Sequence, residues 1–457
     1  MARLSAGAAL SAALEWMVRR YDQREARVTT ASDVYREFEW RGMVYEGTEG
    51  VRDALAREKV TGYIGFDPTA ASLHVGSLLP LLALARLQRC GHHPIAIAGG
   101  GTGMIGDPSG KTQERQLLSL ERIDENLRGI RGQLERFLDF DSPTNPARIV
   151  NNADWLAKLN LMEFLRDIGK HFTVNGMLAK ESVRRRIESE DGISYTEFTY
   201  SLLQAYDFLV LFDRYGCTLQ MGGSDQWGNI VAGADLIRKL RGGRAHGLVM
   251  PLVTTASGVK FGKTEAGAVW LDPALTSDFQ FYQFWLNTDD RDTPKYLKYF
   301  TFLAEGEVAA LERELGASPE KRVAQRELAR EVTRLVRGPE AVERAERASA
   351  ILFGGSLADA KADEVLEVFA DVPSTEVEAS RLAAPGLAIA ELIALTGLAA
   401  SKGEAARAIK GGGIYLNDAR VADERGRVTL EQAIDGRLLV LRKGQRNRHV
   451  VKIARGR

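Results

Sequence analysis

Two short apolar runs separated by a segment of helical period constrain this chain more than anything else in it. Gly62–Phe66 and Pro94–Ala98 read as strands, and Gly76–Arg89 between them carries Leu78, Leu81, Leu82 and Ala85 at helical spacing. Pro80 falls in the first turn of that helix, where a missing N–H is tolerated. Strand, helix, strand at this spacing is a βαβ unit, which predicts a parallel sheet. The pattern continues with helices over Asn160–Asp167, Gly169–Arg186, Tyr200–Tyr215 and Gly228–Leu240, and a short strand Leu219–Gly222. Glu114–Leu138 reads as a helix that is polar on one face.

After Pro251 the texture changes. Thr255–Gly267 reads as a loop, and Ser277–Ala304 and Lys321–Phe353 as helices without strands. Asp371–Pro385 reads as a connector. A small unit follows, with helices Ile389–Thr396 and Lys402–Ile409, a Gly411-Gly412-Gly413 turn, and strands Ile414–Leu416 and Leu438–Leu441. The segments expected are 1–32, a tail; 33–254, an α/β domain; 255–276, a mobile loop and linker; 277–370, helical; 371–385, connector; and 386–457, a small α+β unit.

A length of 457 residues suits several domains, and 45% hydrophobic content supports full cores. Net charge is zero, but Arg437–Arg457 holds eight Lys/Arg and no Asp/Glu, a locally basic tail. Two distant cysteines, Cys90 and Cys217, make neither a disulfide framework nor a cysteine-type zinc site, and the cytoplasm is expected. No apolar run approaches the roughly 18 residues of a membrane span. Met1–Thr30 is Ala- and Arg-rich, but Glu15, Asp22 and Glu25 argue against a targeting peptide. It reads as a short helix and tail, or as a start assigned too far upstream.

Gly101-Thr102-Gly103-Met104-Ile105-Gly106 matches the dinucleotide pattern, but Asp107-Pro108-Ser109-Gly110 stops the helix the pyrophosphate would need. Gly106–Thr112 and Gly258–Thr264 each miss the P-loop by one residue between the glycines. His74-Val75-Gly76-Ser77 is short, and in isolation reads as a loop histidine. Its place between strand and helix suits phosphate and adenine, because a helix N-terminus and a glycine admit close approach.

Tyr63–Ser77, Gly106–Lys111, Gly222–Asn229 and Lys260-Phe261-Gly262-Lys263-Thr264 together closely resemble the bacterial tyrosyl-tRNA synthetases, class I aminoacyl-tRNA synthetases. The resemblance runs from about Asp33 to the C-terminus. It implies an α/β fold: a Rossmann-like parallel-sheet catalytic domain, then a helical domain and a small α+β S4-like C-terminal domain, usually in a homodimer. It implies L-tyrosine, ATP with Mg²⁺ on the phosphates, and tRNA(Tyr) as substrates, with no membrane and no protein-bound metal.

The resemblance carries over residue by residue. His74 and Gly76 fall on the ATP-binding "HIGH" motif, and Lys260 and Lys263 on the mobile "KMSKS" loop, so His74, Lys260 and Lys263 are the implied catalytic groups. Asp67, Gly223, Asp225 and Thr264 complete the implied ATP contacts, with Asp225 at the ribose. Tyr63 and Asp207 match the pair that reads the phenol hydroxyl. Asp107, Tyr200 and Gln204 match the group around the substrate ammonium, and Gln226 the contact to the carboxyl group. Lys111 and Arg115 fall where a loop meets pyrophosphate or tRNA, and Lys402, Arg407 and Lys410 on the S4-like helix.

The spacing of Tyr200, Gln204 and Asp207 at i, i+4, i+7 puts them on one helix face. Such a polar stripe is either a surface or a pocket wall, and the convergence of the other motifs favours the wall. Two positions depart from the family pattern. Ser77 replaces the second motif histidine, and a hydroxyl carries no positive charge. Ile64 stands where many relatives have cysteine. Ser77 supports a rival reading, a non-catalytic RNA-binding protein that kept the fold. The sister reading, activation of tryptophan, is opposed by Tyr63 with Asp207.

Overall fold

The computed structural model describes residues 33–109, 119–188, 192–258, 261–264, 267–352, 357, 360–370, 372–444 and 447–454. The expected tail, 1–32, lies outside the described residues. The chain divides into two compact units. One holds the described residues up to Leu271 together with Asp289–Ala324, and the other Asp272–Thr288 with the described residues from Gln325 onward.

The first unit is built on a six-stranded sheet of β1 (Glu46–Gly47), β2 (Thr61–Phe66), β3 (His93–Ala98), β4 (Arg148–Asn151), β5 (Cys217–Gly223) and β6 (His246–Met250). Its order is β1-β6-β5-β2-β3-β4. All pairs are parallel except β1 with β6, an antiparallel edge. From β2 the chain moves outward through β3 and β4, then returns to the other side of β2 with β5 and β6. The order therefore reverses between β2 and β5. In open parallel sheets ligands bind at the carboxyl ends of the strands at such a reversal.

Helix α1 (Leu78–Arg89) packs on one face of the sheet, where a side chain at Gly62 would strike Leu87. Nearly every residue from Leu78 to Gln88 is buried, so α1 is a central helix rather than an amphipathic cover. On the other face lie α2 (Tyr195–Tyr215) and α3 (Trp227–Arg241). Tyr63, Ile95 and Ile97 from the strands join Phe208, Leu211, Leu236 and Ile237 from the helices in one core. The period-two alternation of β2 thus turns Tyr63 toward α2 and Gly62 toward α1.

Several elements differ from the sequence reading. Strands β4 and β6 are short, and β6 ends directly at Pro251, so neither has the length or flanking turn signals of an obvious strand. The helix expected over Gly169–Arg186 is broken into Val174–Leu178 and Glu181–Ile187, because Thr173 accepts the Gly176 N–H and restarts the chain as an N-cap. Ser277–Ala304 is two helices, Asp278–Leu286 and Thr293–Phe300, with Pro294 opening the second. Helix α2 starts at Tyr195, five residues before the sequence reading, because the Ser194 hydroxyl caps Glu197 N.

In the second unit, Asp278 accepts from Arg337 and Arg344, joining Asp278–Leu286 to the helices that end at Arg337 and begin at Pro339. A five-stranded sheet follows in the order Ala419–Arg420, Ile414–Leu416, Leu438–Lys443, Asn447–Ala454 and Ser374–Glu378. The last strand, in the segment read as a connector, pairs parallel with Asn447–Ala454. Its alternation is too short and polar to signal burial. Leu439 and Leu441 face helices carrying Leu392, Ile393 and Ile409, whereas Leu438 and Val440 face Val365 and Phe369. Burial on both faces explains the unbroken apolar run Leu438–Leu441.

Candidate active site

The turn after β2 places His74 at the N-cap of a 3₁₀ turn, Val75–Ser77, that leads into α1. Its ring folds back, and Nδ1 accepts the Gly76 N–H at 3.0 Å. A neutral imidazole that accepts at Nδ1 carries its proton on Nε2, so the ring offers an N–H donor. A Cβ on residue 76 would lie 2.7 Å from His74 Cε1 and 2.8 Å from Nδ1. Glycine is therefore required for the ring to take this position.

The second motif meets the first directly. Gly262 has φ +82°, and a Cβ there would lie 2.8 Å from Val75 Cγ2 and 3.3 Å from Gly76 N. Val269 N donates to Gly262 O at 3.1 Å, and Val75 N to Val269 O at 2.9 Å. His74 and Trp270 form a bridge with their ring centroids 6.1 Å apart. The backbone of Lys263–Thr264 pairs with Gly267–Ala268 as a hairpin. Lys260 lies outside the described residues.

At the carboxyl end of the sheet, Asp207 of α2 is 3% exposed. Its Oδ1 accepts Trp155 Nε1–H at 2.7 Å and its Oδ2 accepts Asn152 Nδ2–H at 2.9 Å. Burial raises its carboxyl to about 7, against the opposing pull of those two donors. Tyr63 is 1% exposed, its ring edge-on to Phe208 at 5.3 Å. No described residue bonds its hydroxyl. Burial first, and the Asp207 charge second, push that phenol well up. A buried donor without a protein partner beside a buried carboxylate is the arrangement a ligand hydroxyl satisfies.

A second polar network borders it. Gln226 Nε2 donates to Asp107 Oδ2 at 2.7 Å, and Gln204 Nε2 to Gln226 Oε1 at 3.2 Å. Asn229 Nδ2 donates to Gln204 Oε1 at 3.0 Å and to Ser109 Oγ at 3.3 Å, and Ser109 N donates to Asp107 Oδ1. Tyr200 is buried; burial, then the charges of Asp67, Asp107 and Asp207, raise its phenol well up, against a small opposing pull from Thr102. Three carboxylates around one hydroxyl favour a cation, which suits an amino acid's ammonium. Gly99 and Gly223 leave room for Asp67 and Asp225: a Cβ on either would lie 3.0 Å and 2.5 Å from the respective Oδ1.

The structure thus brings together Tyr63, Asp107, Tyr200, Gln204, Asp207 and Gln226, and sets Val75 and Gly76, which follow His74, against Gly262. Lys111 and Arg115 lie outside the described residues. On helix Lys402–Lys410 of the other unit, Lys402 pairs with Glu391 and Lys410 with Glu424, and Arg407 is exposed. Solvent-facing pairs of this kind are worth little. Sequence reasoning missed Asn152, Trp155 and Thr102. Asn152 directly follows β4, and a recognised strand there would have placed it at the carboxyl edge.

A family model described as "tRNA synthetases class I (W and Y)" matches residues 55–354, and one described as "Tyrosine--tRNA ligase SYY-like C-terminal domain" matches residues 364–451. The chain is 58% identical over 417 residues to a tyrosine–tRNA ligase of Roseiflexus castenholzii, covering 91% of this chain and 98% of the relative. It is 52% identical over 425 residues to that of Bacillus caldotenax, covering 92% and 100%. The crystal structure of a C-terminally truncated Aspergillus nidulans mitochondrial tyrosyl-tRNA synthetase superposes with a TM-score of 0.64 at 31% identity, covering 74% of this chain and 100% of that one.

Proposed function

Because this chain belongs to the tyrosine–tRNA ligase branch of the class I tRNA synthetases, we propose that its two glycine-bearing motifs hold ATP from two sides while Tyr63 and Asp207 read the ring hydroxyl of tyrosine. The overall reaction joins L-tyrosine to tRNA(Tyr) at the expense of ATP, releasing AMP and pyrophosphate. The seating of Gly262 on Val75 and Gly76 carries the proposal, since Lys263 and His74 are the chain neighbours of the residues in that contact.

In the first step a carboxylate oxygen of tyrosine attacks the α-phosphorus of ATP. The bond to the bridging oxygen breaks, and pyrophosphate leaves with the electron pair. The nucleophile is already ionised, so no general base is needed. What the site supplies is position and charge. Asp107, Tyr200 and Gln204 orient the ammonium, Gln226 the carboxylate, and Asp67, Gly223, Asp225 and Thr264 the nucleotide. The Nε2–H of His74, with Lys260 and Lys263, meets the charge that grows on the departing pyrophosphate. In the second step a hydroxyl at the tRNA 3′ end attacks the tyrosyl carbonyl, AMP leaves, and the hydroxyl proton is lost.

Among the described residues no group of three or more His, Cys, Asp or Glu side chains could hold a metal ion. Magnesium is assigned to the ATP phosphates, where it would neutralise part of their charge. Lys111 and Arg115 are assigned to the pyrophosphate or acceptor end, and Lys402, Arg407 and Lys410 to tRNA phosphates, giving an affinity that falls with salt.

A homodimer is supported by an exposed apolar set between residues 161 and 195: Leu161 at 68%, Met162 at 73%, Val174 at 60% and Tyr195 at 74%. Cytoplasmic residence is supported by two free buried cysteines, and no described helix is long and apolar enough to cross a membrane.

Tyrosine-dependent exchange of pyrophosphate into ATP tests the reading. Exchange with tryptophan but not tyrosine, or steady release of ADP instead of AMP, overturns it. Sedimentation of Met162→Glu with Tyr195→Glu tests the dimer; an unchanged mass rejects that surface.

A further inference from the structure

Helix α1 begins at the His74 turn and carries, near its far end, a guanidinium in the core: Arg86 is 1% exposed. Its Nη2 donates to the carbonyls of Thr301 at 2.7 Å and Tyr299 at 3.1 Å. Arg41 adds bonds to the carbonyls of Lys298, Thr301 and Leu303, and is itself paired with Glu37. These carbonyls lie in and just beyond the last turn of Thr293–Phe300, where a helix leaves acceptors unbonded and its dipole is negative.

The same helix holds Phe261 and the backbone of Thr254 and Ala256 upstream of it. At its N-terminal end Asp292 Oδ2 accepts Ala256 N–H at 2.7 Å, and Lys295 Nζ reaches Thr254 O at 2.9 Å. Along its side Phe261 stacks on Phe300, ring centroids 5.1 Å apart and planes 11° apart, and meets Tyr296 edge-on at 4.9 Å. Phe261 immediately precedes Gly262, the residue seated against Val75 and Gly76.

The two motifs are therefore joined by two routes. One is the direct contact at Gly262. The other runs from His74 along α1 to Arg86, across to Thr293–Phe300, and through Phe261 back to Gly262. Arg86 is also an expensive way to cap a helix, because its Nε and Nη1 are buried without a partner. A methionine would fill much of that space with no unmet donor.

We propose that Arg86 is a positioning residue for adenylate formation: by gripping the end of Thr293–Phe300, it fixes the height at which Phe261 presents Gly262 and Lys263 to His74. This rests on the reading of that loop as an ATP-holding element. Arg86 touches no substrate. Its effect passes through the helix and falls on ATP rather than on tyrosine, whose pocket lies on the opposite face of the sheet.

The test uses the full chain. Arg86→Met is expected to lower kcat/KM for ATP in pyrophosphate exchange by about 10- to 100-fold, the scale of a small displacement of reacting groups. Tyrosine Kd should stay within about twofold, and Arg86→Lys should recover part of the loss. Equal losses for ATP and tyrosine, or none for either, overturn the proposal. Should Arg86→Met fail to fold, Asp292→Ala and Tyr296→Leu cut the same route nearer the loop and must reproduce the ATP-specific loss; unchanged ATP parameters in both reject it. Lys263→Ala separates the two claims. If it leaves exchange intact, the loop reading itself fails. If it abolishes exchange while the route variants behave as wild type, only the positioning role fails.

Discussion

The Nδ1 of His74 and the backbone nitrogen of Gly76 lie 3.0 Å apart, and that one hydrogen bond decides both the tautomer of the ring and the identity of residue 76. Gly76→Ala places a methyl 2.7 Å from the ring carbon Cε1, and the ring must swing away. Exchange activity should fall by about 10- to 100-fold, as expected when a transition-state donor is displaced. In a His74→Ala background the same substitution should cost little, because the ring it displaces is gone. Additive losses in the double variant would mean that Gly76 acts on ATP by itself.

Gly262 combines a left-handed backbone with a contact that leaves no space for a side chain. Gly262→Ala should therefore lift the loop off Val75. The expected result is a lower kcat and a higher KM for ATP, with tyrosine binding unchanged in equilibrium dialysis. A parallel loss of tyrosine affinity would show that the contact supports the whole site.

Asp207, raised to about 7 by burial, makes tyrosine recognition pH-dependent in a definite direction. A phenol hydroxyl donates to a carboxylate, so binding favours the ionised form, and affinity should rise with pH. Between pH 6 and pH 8 the gain should be roughly tenfold, because the ionised fraction changes by that factor around a midpoint of 7. Phenylalanine, with no hydroxyl, should lack the gain. Asp207→Asn should flatten the profile and narrow the gap between the two amino acids by about 1–3 kcal/mol, the cost of one unmet buried group. In the unliganded protein the sign is opposite. The folded state holds a proton that the unfolded chain has released, so stability declines as pH rises from about 4 to about 7. A tyrosine Kd independent of pH removes Asp207 from the phenol.

Much of this candidate site was named from the sequence through the motifs that carry the family resemblance, and local pattern only made their placement plausible. Tyr63 sits in an apolar run, His74 between strand and helix, and Tyr200, Gln204 and Asp207 on one helical face. The direct contact of Gly262 with Val75 and Gly76 was not legible, since the resemblance assigns both segments to ATP without saying that their backbones touch. Asn152 and Trp155 were missed for a related reason. They follow a four-residue strand, Arg148–Asn151, whose residues are half-buried or exposed, and which becomes recognisable only when β3 lies beside it. The Arg86 clamp was hidden because an arginine on a helix ordinarily reads as surface, and only the carbonyls it reaches, from Lys298 to Thr301, explain its burial.

Trp155→Phe offers a test that separates charge from packing. The indole N–H is one of two donors that hold the Asp207 carboxyl down, and a phenyl ring keeps most of the apolar volume. Without it the Asp207 carboxyl should move upward, above about 7, with Asn152 left as the other side-chain donor. Tyrosine affinity should then be weaker at neutral pH and recover as pH rises, reaching the wild-type value on the alkaline side. The midpoint, read from tyrosine Kd against pH, should lie higher than in the wild-type protein. If affinity is lost equally at every pH, the indole serves the shape of the pocket and not the ionisation of Asp207. If nothing changes, Asn152 alone holds the carboxylate.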